Sequence, residues 1–256
     1  VGGTITNTGT ISANSADLSI TNTGTTLDTS AGTLSAGSGR SMTITNGTTV
    51  FGTNTTLTGP GPLYLAGTQT LSLASDFTLA ATGPSVVTSG AVTVSGSGRS
   101  FTSQGTLLLD GGDTVNTALV NQGTLTAYGA NTANGAFTNA LGATLTLGGH
   151  GTYGNAGLNL AGGLTNAGTI DLTAVTYTGN TATLTASSIA NSGLIESLAG
   201  VYNQTRNLVG GTITNTGTIS ANSADLTVTA SAIDSSGTIE VASGRTLTIS
   251  GSSSSL

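Results

Sequence analysis

Ten carboxylates, four arginines and one histidine are the charged or imidazole groups from which this 256-residue chain can build acid–base or metal chemistry. The carboxylates closest in sequence are Asp110 and Asp113, in Leu107-Leu108-Leu109-Asp110-Gly111-Gly112-Asp113-Thr114, a stretch whose glycines mark a turn between two strands. A pair of carboxyl groups suits glycoside cleavage, one as acid and the other as base or nucleophile. An acidic polysaccharide would also need a cation to hold it. No Lys, Arg or His lies near this pair, so it reads first as an Asx-type turn in which a short carboxylate accepts backbone N–H groups.

A second set of carboxylates follows a pattern. Asp171, Glu196 and Glu240 each follow the Ile that closes a Gly-x-Ile unit, with Ser220 in that place in the copy between the last two. If such units stack, Asp171 and Glu196 stand about 5 Å apart, where like charges repel unless a cation or water screens them. Hard oxygen ligands suit calcium, which makes these two residues a candidate for a weak Ca2+ contact, with solvated surface carboxylates as the simpler reading. Asp110, Asp113, Asp171 and Glu196 together are the candidates for a weak cation or carbohydrate contact, and no catalytic residue, confident metal site or other cofactor is assigned. Gly148-Gly149-His150-Gly151-Thr152-Tyr153 begins like a calcium-roll repeat but has Tyr153 where the aspartate ligand belongs. His150 reads as a surface turn residue without a partner.

Three of the four arginines, Arg40, Arg99 and Arg245, sit in Ser-Gly-Arg-Ser/Thr, which reads as one turn type reused, with the arginine pairing a neighbouring carboxylate or carbonyl. Lysine is absent, the formal net charge is -6 and the pI is about 4.2, which excludes a basic nucleic-acid footprint. Without cysteine there are no disulfides or thiolate metal sites. No apolar run is long enough for a membrane helix, so no membrane insertion is expected of this segment.

The elements that must position these groups are repetitive. Residues 1–18 read VGGTITNTGTISANSADL, and residues 209–226 read the same. An identical block at an offset of 208 indicates duplication inside a longer array. A shorter unit runs beneath it: Asn or Ser, any residue, Gly, Thr, then Ile or Leu. Its asparagines and glycines include Asn7 and Gly9, Asn22 and Gly24, Asn121 and Gly123, Asn166 and Gly168, Asn191 and Gly193, and Asn215 and Gly217. Between them apolar residues alternate with polar ones, as in Leu145-Thr146-Leu147 and Leu247-Thr248-Ile249. This is the period of a half-buried strand.

Each strand is too short and too weakly apolar to bury a core alone, but parallel stacking of successive coils aligns equivalent Ile and Leu into ladders. The fold class expected is all-β: a right-handed parallel β-helix of about twelve irregular turns of roughly 15–26 residues. It forms one continuous solenoid over residues 1–256, a segment of a larger array. Asn at each bend would hydrogen-bond its counterpart one turn away, and Gly two residues later would supply a positive φ or a close approach. Ile5, Asn7, Gly9 and Ile11 would face inward or form the bend, and the threonines between them would face solvent.

The Asn-x-Gly-Thr-Ile/Leu unit, as in Leu164-Thr165-Asn166-Ala167-Gly168-Thr169-Ile170, together with Thr-Leu-Thr-Leu strands, resembles the repeats of large bacterial exoproteins, the filamentous-haemagglutinin-like and autotransporter-passenger adhesins. The resemblance covers nearly the whole chain and its motif is structural. It implies a right-handed β-helix, an extracellular or cell-surface location, and a part in attachment, biofilm or surface fibres. Its partners would be neighbouring repeats or like subunits end to end, and host or surface glycans. Two alternatives stand beside it: a carbohydrate-active β-helix enzyme, and an ice-binding solenoid using the Thr rows Thr4, Thr6, Thr8, Thr10 and Thr212, Thr214, Thr216, Thr218.

Overall fold

The computed structural model describes residues 3–176, 179–200 and 204–255, the last four of these by their backbone alone. Val1 and Gly2, which open the first copy of the duplicated block, lie outside the described residues. Among the described residues the regular structure is all strand. The ladders are parallel, and among the described residues one antiparallel bridge joins His150 to Gly154.

The chain visits three sheets in a fixed order. Ala156–Leu160 lies in the first sheet, Leu164–Asn166 in the second and Thr169–Ala174 in the third. The next coil repeats the order. Ala182–Asn191 spans the first and second sheets and Leu194–Ser197 lies in the third, each paired with its counterpart in the coil before. The result is a parallel β-solenoid of about eleven turns. At about 4.8 Å per strand spacing it is a rod of roughly 50 Å.

Alternation determines what fills the rod. In the third sheet Leu107, Leu125, Leu145, Ile170, Ile195 and Ile219 are successive register partners and all are buried. In the second sheet Leu119, Phe137, Leu164, Ile189, Ile213 and Ile233 do the same. Thr126 and Thr146, one residue along in the third sheet, point outward in register. Phe51, Phe77 and Phe101 extend the core toward its N-terminal half, with ring centroids 4.9 and 5.6 Å apart in succession.

The turns, about eleven, are close to the number and lengths expected. Register partners are 18 residues apart at Val115 and Ala133 and 27 apart at Ala133 and Leu160. The motif can also mark two corners of one turn. Asn7 lies at the corner leading from the first sheet to the second, and Asn22 at the corner leading from the third back to the first. They are separated by less than one turn.

The duplicated block shows that the corners are interchangeable. In the first copy Thr4–Thr6 lies in the first sheet and Thr10–Ala13 in the second. In the other copy Thr212 to Asn215 pairs in the second sheet and Thr218–Ala221 in the third. Identical sequence therefore occupies the triangle one side out of phase, because any corner accepts the same Asn-x-Gly-Thr bend and the neighbouring coil sets the phase. The Thr-x-Thr segments of the two copies consequently lie on different sheets, so they do not form one row.

Candidate functional site

The turn carrying Asp110 and Asp113 separates the two carboxyls. Asp110 closes the third-sheet strand Thr106–Asp110 and faces outward, whereas Asp113 precedes Thr114–Val115 of the first sheet with the parity of the buried Val115. Asp113 is only 2% exposed. Its Oδ1 accepts the Val92 N–H at 3.0 Å, and its Oδ2 accepts the Asp110 N–H at 3.1 Å and lies 2.5 Å from Thr88 Oγ1. Burial raises its pKa to about 6, against these hydrogen bonds, which pull it down. The chain bends here, but the Asp113 carboxyl reaches back to Asp110 and across to Thr88 and Val92 where an Asx turn would reach forward, and it fastens three strands from inside. The pair does not converge on a groove.

Asp110 meets partners that no sequence spacing indicated. Its register partner one coil later is Tyr128. The loop closed by reciprocal His150 and Gly154 backbone bonds of 2.9 and 2.7 Å brings Tyr153 back over both. The Tyr153 hydroxyl donates to Asp110 Oδ2 at 2.5 Å, and this bond, with the adjacent charge, pushes the phenol up to about 12. The Tyr128 phenol is raised too, by burial first and then by Asp110. His150 is a turn residue, as expected, but it is not alone. Its ring centroid lies 4.9 Å from Tyr128 and 5.1 Å from Tyr153.

Asp171 and Glu196 are register partners in the third sheet, with Ser220 and then Glu240 following. Burial and the neighbouring Glu196 raise the Asp171 pKa, and Asn222 Nδ2 donates to Glu196 Oε2 at 2.5 Å. Among the described residues no three His, Asp or Glu side chains gather as a metal-binding group.

The asparagines divide by corner. Asn121, Asn139, Asn166, Asn191 and Asn215 form one ladder, each Nδ2 donating to the next Oδ1 at 2.7–2.8 Å. Each also donates to a backbone carbonyl of the following coil, as Asn166 does to Leu194 at 3.1 Å. Asn215 ends the ladder on Ser235 Oγ at 3.0 Å. Asn7 and Asn22 stand at other corners, where their Nδ2 donate to the carbonyls of Thr33 and Thr48 and Asn7 Oδ1 accepts the Gly9 N–H. The glycines divide similarly. Gly24 has a φ of 69°, in the left-handed region. A Cβ at Gly193 or Gly217 would lie 2.1 or 2.2 Å from the carbonyl oxygen of the glycine one coil before. Gly123 and Gly168 are confined in the same way, by Gly105 and Ala143. At Gly9 there is open space.

The three Ser-Gly-Arg turns are alike. Arg40, Arg99 and Arg245 each donate their N–H back three residues at 3.1 Å, after a glycine of positive φ. The N–H of the next residue, Ser41, Ser100 or Thr246, goes to Asp17, Asp76 or Asp225 of the preceding coil, each at 2.9 Å. The carboxylate thus takes a backbone donor. Arg206 lies outside this pattern. It is wholly buried, and its guanidinium donates to the carbonyls of Gln204 at 2.8 Å and Leu198 at 3.3 Å.

No protein-family model, curated protein or solved structure matches the chain. What it shares with known β-helical repeat proteins is the architecture, a parallel β-solenoid.

Proposed function

We propose that the chain is a stiff extracellular segment of a bacterial surface or fibre-forming protein, of the filamentous-haemagglutinin or autotransporter-passenger kind, that acts by extension and repeated weak contact. The observation that carries this reading is the continuity of the third sheet, whose register partners run unbroken from Leu18 through Met42, Leu63, Val86 and Leu107 to Ile239. A rod of this kind has no hinge along that sheet, and bending it would break many backbone bonds together. Its outer surface is dominated by Thr, Ser and Asn with few charges, and its hollows are shallow. One of about 230 Å³ is lined by residues such as Asn131, Thr132, Asn159 and Thr183.

Such a surface suits many weak contacts summed along a rod, in which avidity replaces a single deep site. Glycan-bearing surfaces and like subunits meeting end to end are the partners it would take. The test is attachment of beads coated with the chain to polysaccharide-coated and cell-covered surfaces, beside albumin-coated beads. Retention that grows steeply with coating density supports the reading. Retention no greater than albumin at every density overturns it.

A further inference from the structure

On a surface of Thr, Ser and Asn, one patch gathers two tyrosines, a histidine and a carboxylate. Tyr128, His150 and Tyr153 are in mutual contact, with the two phenol rings 6.0 Å apart and within 4° of parallel. The imidazole is tilted by only 34° and 37° to them. Glycines lie around these rings: a Cβ at Gly111 would fall 3.6 Å from the Tyr153 ring, and one at Gly148 would fall 3.2 Å from the Tyr128 ring. The loop bearing His150 and Tyr153 is held from the next coil, where Asn180 Nδ2 donates to the His150 carbonyl at 2.8 Å and Thr176 Oγ1 accepts the Gly151 N–H at 2.5 Å.

We propose that this patch binds a neutral saccharide. A pyranose presents an apolar C–H face and a rim of hydroxyls, and the patch offers the complement of each. The tyrosine rings carry negative π-faces for polarised C–H groups, and Tyr153 is 38% exposed. Asp110 Oδ2 accepts from Tyr153, while its Oδ1 is buried without a hydrogen-bond partner, so that a turn of the carboxyl would bring an unused acceptor to a sugar hydroxyl. His150 Nδ1 accepts the Thr152 N–H at 3.1 Å, which leaves the ring hydrogen on Nε2 as a donor.

The chemistry also selects among ligands. Asp110 would repel the carboxylate or sulfate of an acidic sugar, and none of the four arginines belongs to the patch. A quaternary ammonium is recognised by rings enclosing it from several sides, and the two phenol rings here lie within 4° of parallel. The site rests on the adhesive reading above for its use, but binding in solution is measured apart from attachment.

The experiment is titration of the full chain by saturation-transfer NMR with methyl β-galactoside and methyl β-glucoside, against glucuronate and choline. Saturable millimolar binding of a neutral glycoside, weakened more than about tenfold in Tyr153→Ala and in Asp110→Asn, is expected. Thr227→Ala, outward on a distant coil, leaves it unchanged. Thermal midpoints measured alongside identify a variant that fails to fold, and Tyr153→Phe, which keeps the ring, then tests the Asp110 bond by itself. Absence of saturable binding by either glycoside, undiminished binding in folded Tyr153→Ala, or tighter binding of choline or glucuronate overturns the proposal. Loss of bead attachment with glycoside binding intact counts against the adhesive reading and leaves the site standing.

Discussion

Thr88 Oγ1 lies 2.5 Å from Asp113 Oδ2 and 3.0 Å from the Leu108 carbonyl, so one hydroxyl hydrogen faces two acceptors. A proton on Asp113 resolves the conflict: the carboxyl donates to Thr88, and Thr88 donates to Leu108. Below about 6, the value to which burial raises its pKa, Asp113 takes up that proton and the competition is relieved.

A carboxyl whose pKa is higher folded than unfolded takes up a proton on folding, so stability rises as pH falls from about 6 toward the unfolded value of 3.8. Asp171, also raised, adds in the same sense, while Asp28, lowered by its Ser30 hydrogen bonds, opposes it only near and below 3.8. The chain should be about 1 kcal/mol more stable at pH 5 than at pH 7.5, measured by urea unfolding. Asp113→Asn should flatten most of that slope.

Asn166 receives a hydrogen bond from Asn139 and donates to Asn191 and to the Leu194 carbonyl, and the three asparagines are buried. Asn166→Ala orphans these partners and should cost about 2–3 kcal/mol. Asn7→Ala, which removes a bond to Thr33 and one from Gly9, should cost less than half as much in the same unfolding experiment.

A methyl at Gly193 would fall 2.1 Å from the Gly168 carbonyl oxygen, whereas one at Gly9 meets nothing within 4 Å. Gly193→Ala should destabilise by about 1–3 kcal/mol through backbone displacement. Gly9→Ala should stay within about 0.5 kcal/mol. Equal losses in thermal melts would contradict the stacking of these glycines.

Ile5 and Ile213 occupy the same place in two identical segments, yet the first is 52% exposed and the second 1%. Ile213→Ala should cost about 2–5 kcal/mol and leave a cavity under the second sheet. Ile5→Ala should cost under about 1 kcal/mol.

The solenoid was legible because its signals are local: alternating Leu and Thr, and a bend motif that any corner accepts. Which corner each motif marks was less so, since Asn7 and Asn22 mark two corners within one coil. The burial of Asp113 had a signal in its parity with Val115. The patch of Asp110, Tyr128, His150 and Tyr153 had none, because bringing Tyr153 onto Asp110 requires knowing the lengths of two irregular turns between them. Arg206 was unreadable for a related reason: its partners Gln204 and Leu198 are carbonyls of a corner that only the folded chain assembles.

The stiffness of the rod is tested most directly by pulsed electron resonance between spin labels at outward positions of the third sheet, Thr43, Thr126 and Glu240. Thr126 lies four register steps from Thr43 and five from Glu240, which predicts separations of about 19 Å and about 24 Å and about 43 Å end to end, narrow and additive. A broad end-to-end distribution, or one well short of the sum of the two halves, would contradict a straight solenoid.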